Sequence, residues 1–537
     1  MVSTFPEPEA LTQPEVQPPV PASEPATAPA LPPGPLDLQA AVLRDAYLSG
    51  RLRVIDVVEA VLAAITARGD DGVWIHVADR ADLLARAAEL DVLRTSLIGT
   101  ASGGDLPPLF GLPFAVKDNI DVAGMPTTAA CPGFAYPATA GAPLVDALLA
   151  AGAVCVGKTN LDQFATGLSG VRSPYGIPTS PFDPAMIAGG SSSGSGVAVG
   201  AGLVTFAIGT DTAGSGRVPA ALTNTVGIKP SRGLVSSRGV VPACRSLDCP
   251  AVSALSVADG TLVLDVISGF DEHDPWSRRF PPPTPGRVSW SGEDDHPADD
   301  DVADDNATGG APGLGGLGAP PVRLGIPAAA LVAADCDDAV QAVFARALDL
   351  LTDLGAELVE IDLAPFLEAG TMLYEGPWLA ERYAAVGDFL EEHPDAVHPV
   401  VAELLAPGAR VSGVDVFTGF ERLRTLRRQT EAAWRAADAL LLPTVPRTFS
   451  VADMLADPIR RNARLGRYTT FVNLLDLAAV AVPAGFAAGL PYGVSLIGPA
   501  GSDARLAAVG AALHDRSGLA PGLGTFPLVS APPPSPV

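Results

Sequence analysis

The chain has 537 residues, 48% of them hydrophobic, and its 60 acidic against 34 basic side chains give a net charge of -26. Such a charge repels phosphate backbones and anionic lipid, which excludes nucleic acid and membrane surfaces as expected partners. Its cysteines, Cys131, Cys155, Cys244, Cys249 and Cys336, include no CxxC pair and suit buried, reduced thiols in a cytoplasmic protein better than a disulfide framework.

Residues 1–35 are Pro-rich, with no basic n-region and no apolar h-region. A disordered tail is expected there, neither a secretory signal nor an anchor. From Leu36 to about Thr95, "LDLQAAVLRDAYLSGRL" and "VIDVVEAVLAAITARG" repeat apolar residues at three and four and end near glycine, which predicts two or three amphipathic helices. Short apolar runs follow, "LPFAV", "AVCVG" and "VTFAIG", alternating with the helix-like "APLVDALLAAG" and Gly-rich turns. This alternation predicts an α/β fold, a sheet covered by helices with catalytic groups at strand ends.

The composition then turns acidic and glycine-rich, with "GEDDHPADDDVADDNATGG" at its centre, and a disordered insertion is expected over about 285–320. Regular structure resumes with the strand "VRLGIP", the helix "DDAVQAVFARALDLLTDLG" and the strand "AELVEIDL", and ends with the helix "DARLAAVGAALHDRSG". A single domain over 36–525 is therefore expected, followed by a second Pro-rich tail over 526–537. No apolar stretch reaches the ~20 residues of a membrane span.

The stretch "IAGGSSSGSGVAVG" at 187–200 has the composition of a linker, yet "GSSSG" within it matches the G-x-S-x-G nucleophile elbow with Ser192 at its centre. An elbow follows a strand, whereas this one follows the turn-like "SPFDPAMIAG". None of His76, His273, His296, His393, His398 and His514 stands in a motif that would supply a catalytic histidine. A dinucleotide loop also fails, for want of a β-α-β frame.

The informative count is that of lysine. Only Lys117, Lys158 and Lys229 occur, all within a region that also holds "GGSSSGSG" and "GTDTAGSGR", while the remaining basic residues are arginine. A guanidinium stays charged, whereas a desolvated ammonium can lose its proton and serve as a base. A lysine base with serine clusters makes the parts of a histidine-free nucleophilic hydrolase.

At this point the sequence resembles the amidase signature family, through "GLPFAVKDNIDVAGMPTT", "VGKTNLDQFATG", "GGSSSGSG", "GTDTAGSGRVPAA" and "VGIKPSRG" in that order. The resemblance implies a mixed β-sheet core sandwiched between α-helices and a Ser-cisSer-Lys triad without metal or cofactor. Carried over by motif, Lys117 is the base, Ser191 the serine after a cis peptide bond and Ser215 the nucleophile. The implied oxyanion hole is the backbone of Thr212, Ala213, Gly214 and Ser215.

Within the family, "KTNLDQFATGLSGVRSPYG" and "FLEAGTMLYEGPWLAERYAAV" are most similar to the allophanate hydrolase subgroup. That similarity implies hydrolysis of allophanate with release of ammonia in urea or s-triazine nitrogen catabolism, and Tyr374 and Arg382 as the substrate-binding pair. It implies a functional link to a biotin-dependent urea carboxylase and allows a homodimer. The decarboxylating C-terminal domain of many such enzymes is expected to be absent, its step supplied separately or spontaneous. Other readings of the same motifs are a broad-specificity amidase and an amidotransferase A-type subunit.

Overall fold

The structure, a computed structural model, describes residues 35–98, 105–280, 321–524 and 526–529. The acidic insertion expected over 285–320, residues 1–34 of the first expected tail and residues 530–537 of the second lie outside the described residues. Of the second tail, the part described lies against Gln39, whose side chain donates to the Pro527 carbonyl (2.9 Å) and accepts from the Val529 N–H (2.8 Å).

A mixed sheet of eleven strands forms the centre. Across it run Trp74–Val77, Val154–Thr159, Pro113–Lys117, Phe206–Thr210, Pro250–Ala254 and Val226–Lys229, then Leu477–Ala487, Leu490–Pro499, Ala439–Pro443, Arg323–Pro327 and Glu357–Ile361. Pro113–Lys117 is parallel to both of its neighbours, Val154–Thr159 and Phe206–Thr210. The middle strands are buried along their whole length, as expected of strands covered on both faces, and their sequences read as continuous apolar runs. Helices flank the sheet; Asp338–Asp353 and Asp503–Ser517 both pack on Leu477–Ala487.

Local chemistry sets the helix ends. Asp337 caps Asp338–Asp353 by accepting from the Val340 N–H, and Ser412 and Asp415 form a capping box that opens Gly413–Ala436. Asp503–Ser517 closes on Gly518 in the left-handed conformation.

The predicted strands and helices of 105–280 are present within a residue or two. The helical stretch after Leu36 holds three helices, Ala40–Leu48, Val54–Arg68 and Arg80–Ile98, but the strand Trp74–Val77 lies between the last two. This edge strand has only four residues, too few for alternation to register, and is held by antiparallel pairing with Val154–Thr159.

Candidate active site

Three adjacent parallel strands end at one level. Lys117 pairs in register with Thr159, and Thr210 closes the neighbouring strand Phe206–Thr210. The C-terminal edge of parallel strands is where α/β sheets bind ligands. Against this edge lies the serine-glycine stretch, which is not a linker: residues 187–200 are buried throughout, and Ser193–Gly200 is a helix packed on those strands. Gly194 shows why small residues are required, since a Cβ there would lie 2.6 Å from the Asn160 nitrogen and would collide with the Val73 carbonyl.

The peptide bond between Gly190 and Ser191 is cis. Backbone bonds from Asp162 N to Ser191 O (3.1 Å), Gly190 N to Leu168 O (2.8 Å) and Ser192 N to Ser215 O (3.2 Å) tie this turn to its neighbours. Lys117 Nζ donates to Ser191 Oγ (2.8 Å) and Thr210 Oγ1 (2.7 Å), and the lysine is fully buried. Burial pulls the Lys117 pKa down to about 7, against the raising influence of Asp162, Asp211 and Asp248. An amine so placed is substantially neutral near pH 7.

The other two lysines have different settings. Lys158 forms a buried ion pair with Asp118 (2.9 Å) and also donates to Pro126 O and Thr127 Oγ1. Lys229 donates to the Pro230 carbonyl (2.7 Å). Ser192, centre of the elbow-like pattern, donates to the Thr210 carbonyl (3.1 Å).

Ser215 stands two residues before the short helix Arg217–Leu222 and is 3% exposed. Its hydroxyl faces the Gly167 carbonyl at 3.5 Å, and among the described residues no hydrogen bond joins it to Ser191 Oγ. Asp211 shapes the loop before it, accepting from the N–H groups of Gly214 (2.7 Å), Gly216 (3.2 Å) and Arg217 (3.2 Å) and from the Arg217 guanidinium (2.9 Å). Burial pushes the Asp211 carboxyl up, but Arg217 outweighs it and holds the pKa below the ordinary value. The Gly214 N–H is thus engaged, which withdraws it from the expected oxyanion set. The N–H groups of Thr212, Ala213 and Ser215 meet no acceptor among the described residues. Thr212 Oγ1 donates to Asp248 (2.6 Å), which also accepts from the Ala243 and Cys244 N–H groups.

A second cluster adjoins the first. The Arg382 guanidinium lies over the Tyr374 ring at 4.9 Å and donates to Thr166 Oγ1 (3.4 Å). It is 1% exposed and in no ion pair among the described residues. Its sequence neighbour Glu381, the obvious partner on paper, instead accepts from Ser246 N and Oγ (both 2.6 Å) and from Cys244 Sγ (3.2 Å). Burial opposes the Arg382 charge, but Tyr374, Cys244, Asp248 and Glu381 outweigh it and hold its pKa above the usual guanidinium value. Thr166 follows two non-glycine residues in the left-handed region, Phe164 (φ 51°) and Ala165 (φ 52°). It precedes Gly167, whose carbonyl faces Ser215, so one peptide unit links the arginine to the serine.

Sequence reasoning missed three members of this arrangement: Asp162, whose carboxylate gathers the N–H groups of Ser169, Gly170 and Arg172; Arg172 itself; and the Thr210 hydroxyl on Lys117. Asp162 lies within the motif "KTNLDQF", and its acceptor role becomes readable only from the fold.

The Amidase family profile matches residues 56–507. The urea amidolyase of Saccharomyces cerevisiae is 37% identical over 458 residues, 82% of this chain but 22% of that protein, so the chain spans a minor part of such relatives. The A-type subunit of the glutamyl-tRNA(Gln) amidotransferase of Symbiobacterium thermophilum is 34% identical over 498 residues, 87% of this chain and 94% of that one. Among solved structures, the allophanate hydrolase of Kluyveromyces lactis superposes with a TM-score of 0.75 at 35% identity, covering 88% of this chain and 72% of that one. The matched span takes in both the Lys117–Ser191 contact and the Tyr374–Arg382 pair, and the chain belongs to the amidase family, hydrolases of amide C–N bonds.

Proposed function

We propose that this amidase hydrolyses allophanate, a urea that carries an N-carboxylate, and releases ammonia. The observation that carries the reading is Arg382, buried over Tyr374 with no carboxylate partner among the described residues, one peptide unit from the Ser215 contact. A substrate this small has almost no apolar area, so a cation and a directional hydrogen bond must hold it. The similarity to an allophanate hydrolase supports the same substrate.

In this reading neutral Lys117 takes the proton of Ser191, which takes that of Ser215. The 3.5 Å contact to Gly167 restrains the Ser215 hydroxyl weakly, so it is free to turn to Ser191. Ser215 Oγ attacks the terminal carbonyl, and the oxyanion is met by the open N–H groups of Thr212, Ala213 and Ser215. The relay returns the proton to the terminal nitrogen, the C–N bond breaks and ammonia leaves. Water then cleaves the acyl-enzyme by the reverse relay, giving N-carboxycarbamate. Allophanate is carboxylated urea, so an enzyme that carboxylates urea can supply it, a role a biotin-dependent carboxylase fits; hydrolysis of one amide of biuret is the other source.

The test is a steady-state comparison of allophanate, biuret, urea and simple neutral amides. Ammonia release from allophanate at the highest kcat/KM is expected. Turnover of neutral amides without turnover of allophanate makes the chain a broad amidase instead. A second reading, an amidotransferase A-type subunit, draws on the match along almost the whole length of the Symbiobacterium protein. Co-purification of a stable partner and inactivity of the chain alone would favour it.

A further inference from the structure

Arg172 is fully buried beside the anion pocket. Its Nη1 donates to the Thr166 carbonyl (2.8 Å) and its Nη2 to the Pro458 carbonyl (2.6 Å), while its Nε has no partner among the described residues. Arg382 reaches the same residue through the Thr166 hydroxyl, and its Nε is unpartnered too. Two guanidinium groups thus converge on one threonine, and among the described residues neither is in an ion pair.

The acids nearby are committed elsewhere. Asp162 attracts Arg172 but spends its oxygens on backbone N–H groups, and Asp248 and Glu381 attract Arg382 while bound to Thr212, Ser246 and Cys244. Tyr374 and His398 complete the surroundings of Arg172. Burial and the neighbouring Arg382 depress the Arg172 pKa, Asp162 and Tyr374 opposing them. The nearby acids steady both charges from a distance, yet among the described residues neither guanidinium is in contact with a carboxylate, so both remain able to attract a bound anion.

We propose that Arg172 is a second specificity determinant of this pocket, a positioning residue whose charge, set behind Thr166, reinforces Arg382 in selecting a substrate with a carboxylate. Its Nη groups hold the backbone, so it acts through its field and through the Thr166 peptide. The inference rests on the anionic-substrate reading above and adds to it a residue and a route.

The test uses the full chain with Ser215→Ala, so that binding is measured without turnover, and titrates allophanate and its neutral isostere biuret by calorimetry. Adding Arg172→Gln is expected to weaken allophanate binding at least about tenfold, whereas Arg172→Lys, which restores the charge, stays within about threefold. Biuret affinity is expected to be the same in all three. If the Lys variant is as weak as the Gln variant, or the Gln variant binds allophanate normally, the proposal is overturned. Should Arg172→Gln fail to fold, the Lys variant decides alone: loss of its preference for allophanate over biuret overturns the proposal. No allophanate binding by Ser215→Ala itself is a separate failure, that of the substrate reading.

Discussion

Lys117 Nζ lies 2.8 Å from Ser191 Oγ at the end of a fully buried strand, and its other hydroxyl contact is Thr210 at 2.7 Å. Among the described residues a charged amine in that place has two hydroxyl acceptors and no carboxylate in contact, so burial favours the neutral form over the attraction of Asp162, Asp211 and Asp248. With a pKa of about 7, the base fraction grows as pH rises. Activity is therefore expected to climb through pH 7 and level off above it, in a pH profile of kcat/KM. Lys117→Arg keeps the charge but cannot give it up, and a loss of kcat of at least about 100-fold is expected. Retained activity would remove Lys117 from the relay.

The two serines that compete for attention in "GGSSSGSG" separate by their partners. Ser191 receives Lys117, whereas Ser192 donates to the Thr210 carbonyl. Ser192→Ala deletes one neutral hydrogen bond, worth about 1 kcal/mol, and kcat is expected to stay within about tenfold. Ser215→Ala is expected to abolish both turnover and formation of an acyl-enzyme, read by mass spectrometry after rapid quenching. Acylation that persists in Ser215→Ala and disappears in Ser192→Ala would reverse the assignment.

Lys158 tests how far the scarcity of lysine speaks for chemistry. It is paired with Asp118 where both are fully buried, so removing it strands a carboxylate. Lys158→Met is expected to lower stability by about 3–5 kcal/mol in denaturant unfolding, as for other broken buried pairs. The residual activity should keep the rising limb near pH 7. A shifted limb would mean that the Lys158–Asp118 pair bears on the setting of Lys117.

This contrast shows what the sequence could convey. Motif order and lysine scarcity pointed to the segment holding Lys117, Ser191 and Ser215, because a rare residue type stands out against its background. Arg172 does not stand out in a chain whose basic residues are nearly all arginine, and the positions of Asp162 and Asp211 at the hubs of backbone N–H groups depend on loops that carry no periodicity. The strand Trp74–Val77 was illegible for a related reason: its stability comes from pairing with a strand about 80 residues away. Linker-like composition in 187–200 could not by itself separate slack chain from close packing, since glycine serves both; the family motifs pointed to a built loop, and the burial of the stretch agrees.

Asp211 and Arg217 form the other fully buried ion pair among the described residues, and here the ion pair and the active-site loop are one object. Arg217→Met leaves Asp211 with backbone donors only, and a loss of about 3–5 kcal/mol is expected. Since the folded pKa of Asp211 lies below its unfolded value, its contribution is present above the unfolded pKa and is lost as pH falls through the folded one. In the variant, burial without Arg217 raises the Asp211 pKa, so the stranded carboxyl sheds its penalty by taking a proton, and the gap between wild type and variant should narrow as pH falls from neutrality. A gap that does not change with pH would assign the loss to packing and not to the stranded Asp211 carboxylate.

Gly214 is where backbone geometry constrains the chemistry most directly. Its φ is +132°, its N–H is held by Asp211, and a Cβ would lie 2.7 Å from Thr469 Cβ and 3.3 Å from its Cγ2. Gly214→Ala therefore meets two independent penalties, a conformation that side chains avoid, at about 1–3 kcal/mol, and an overlap. The loop can relieve them only by moving Thr212, Ala213 and Ser215, the open donors and the nucleophile. A fall in kcat of at least about 100-fold is expected, the size of a lost oxyanion donor. Thr469→Ala in the same chain removes the hydroxyl and methyl that crowd the new side chain but keeps the Cβ at 2.7 Å, so it relieves part of the overlap and leaves the φ penalty in place. Part of the lost melting temperature should return in the double variant, while kcat stays low. Full recovery of kcat would mean that crowding alone, and not the glycine conformation, holds the loop in its working shape.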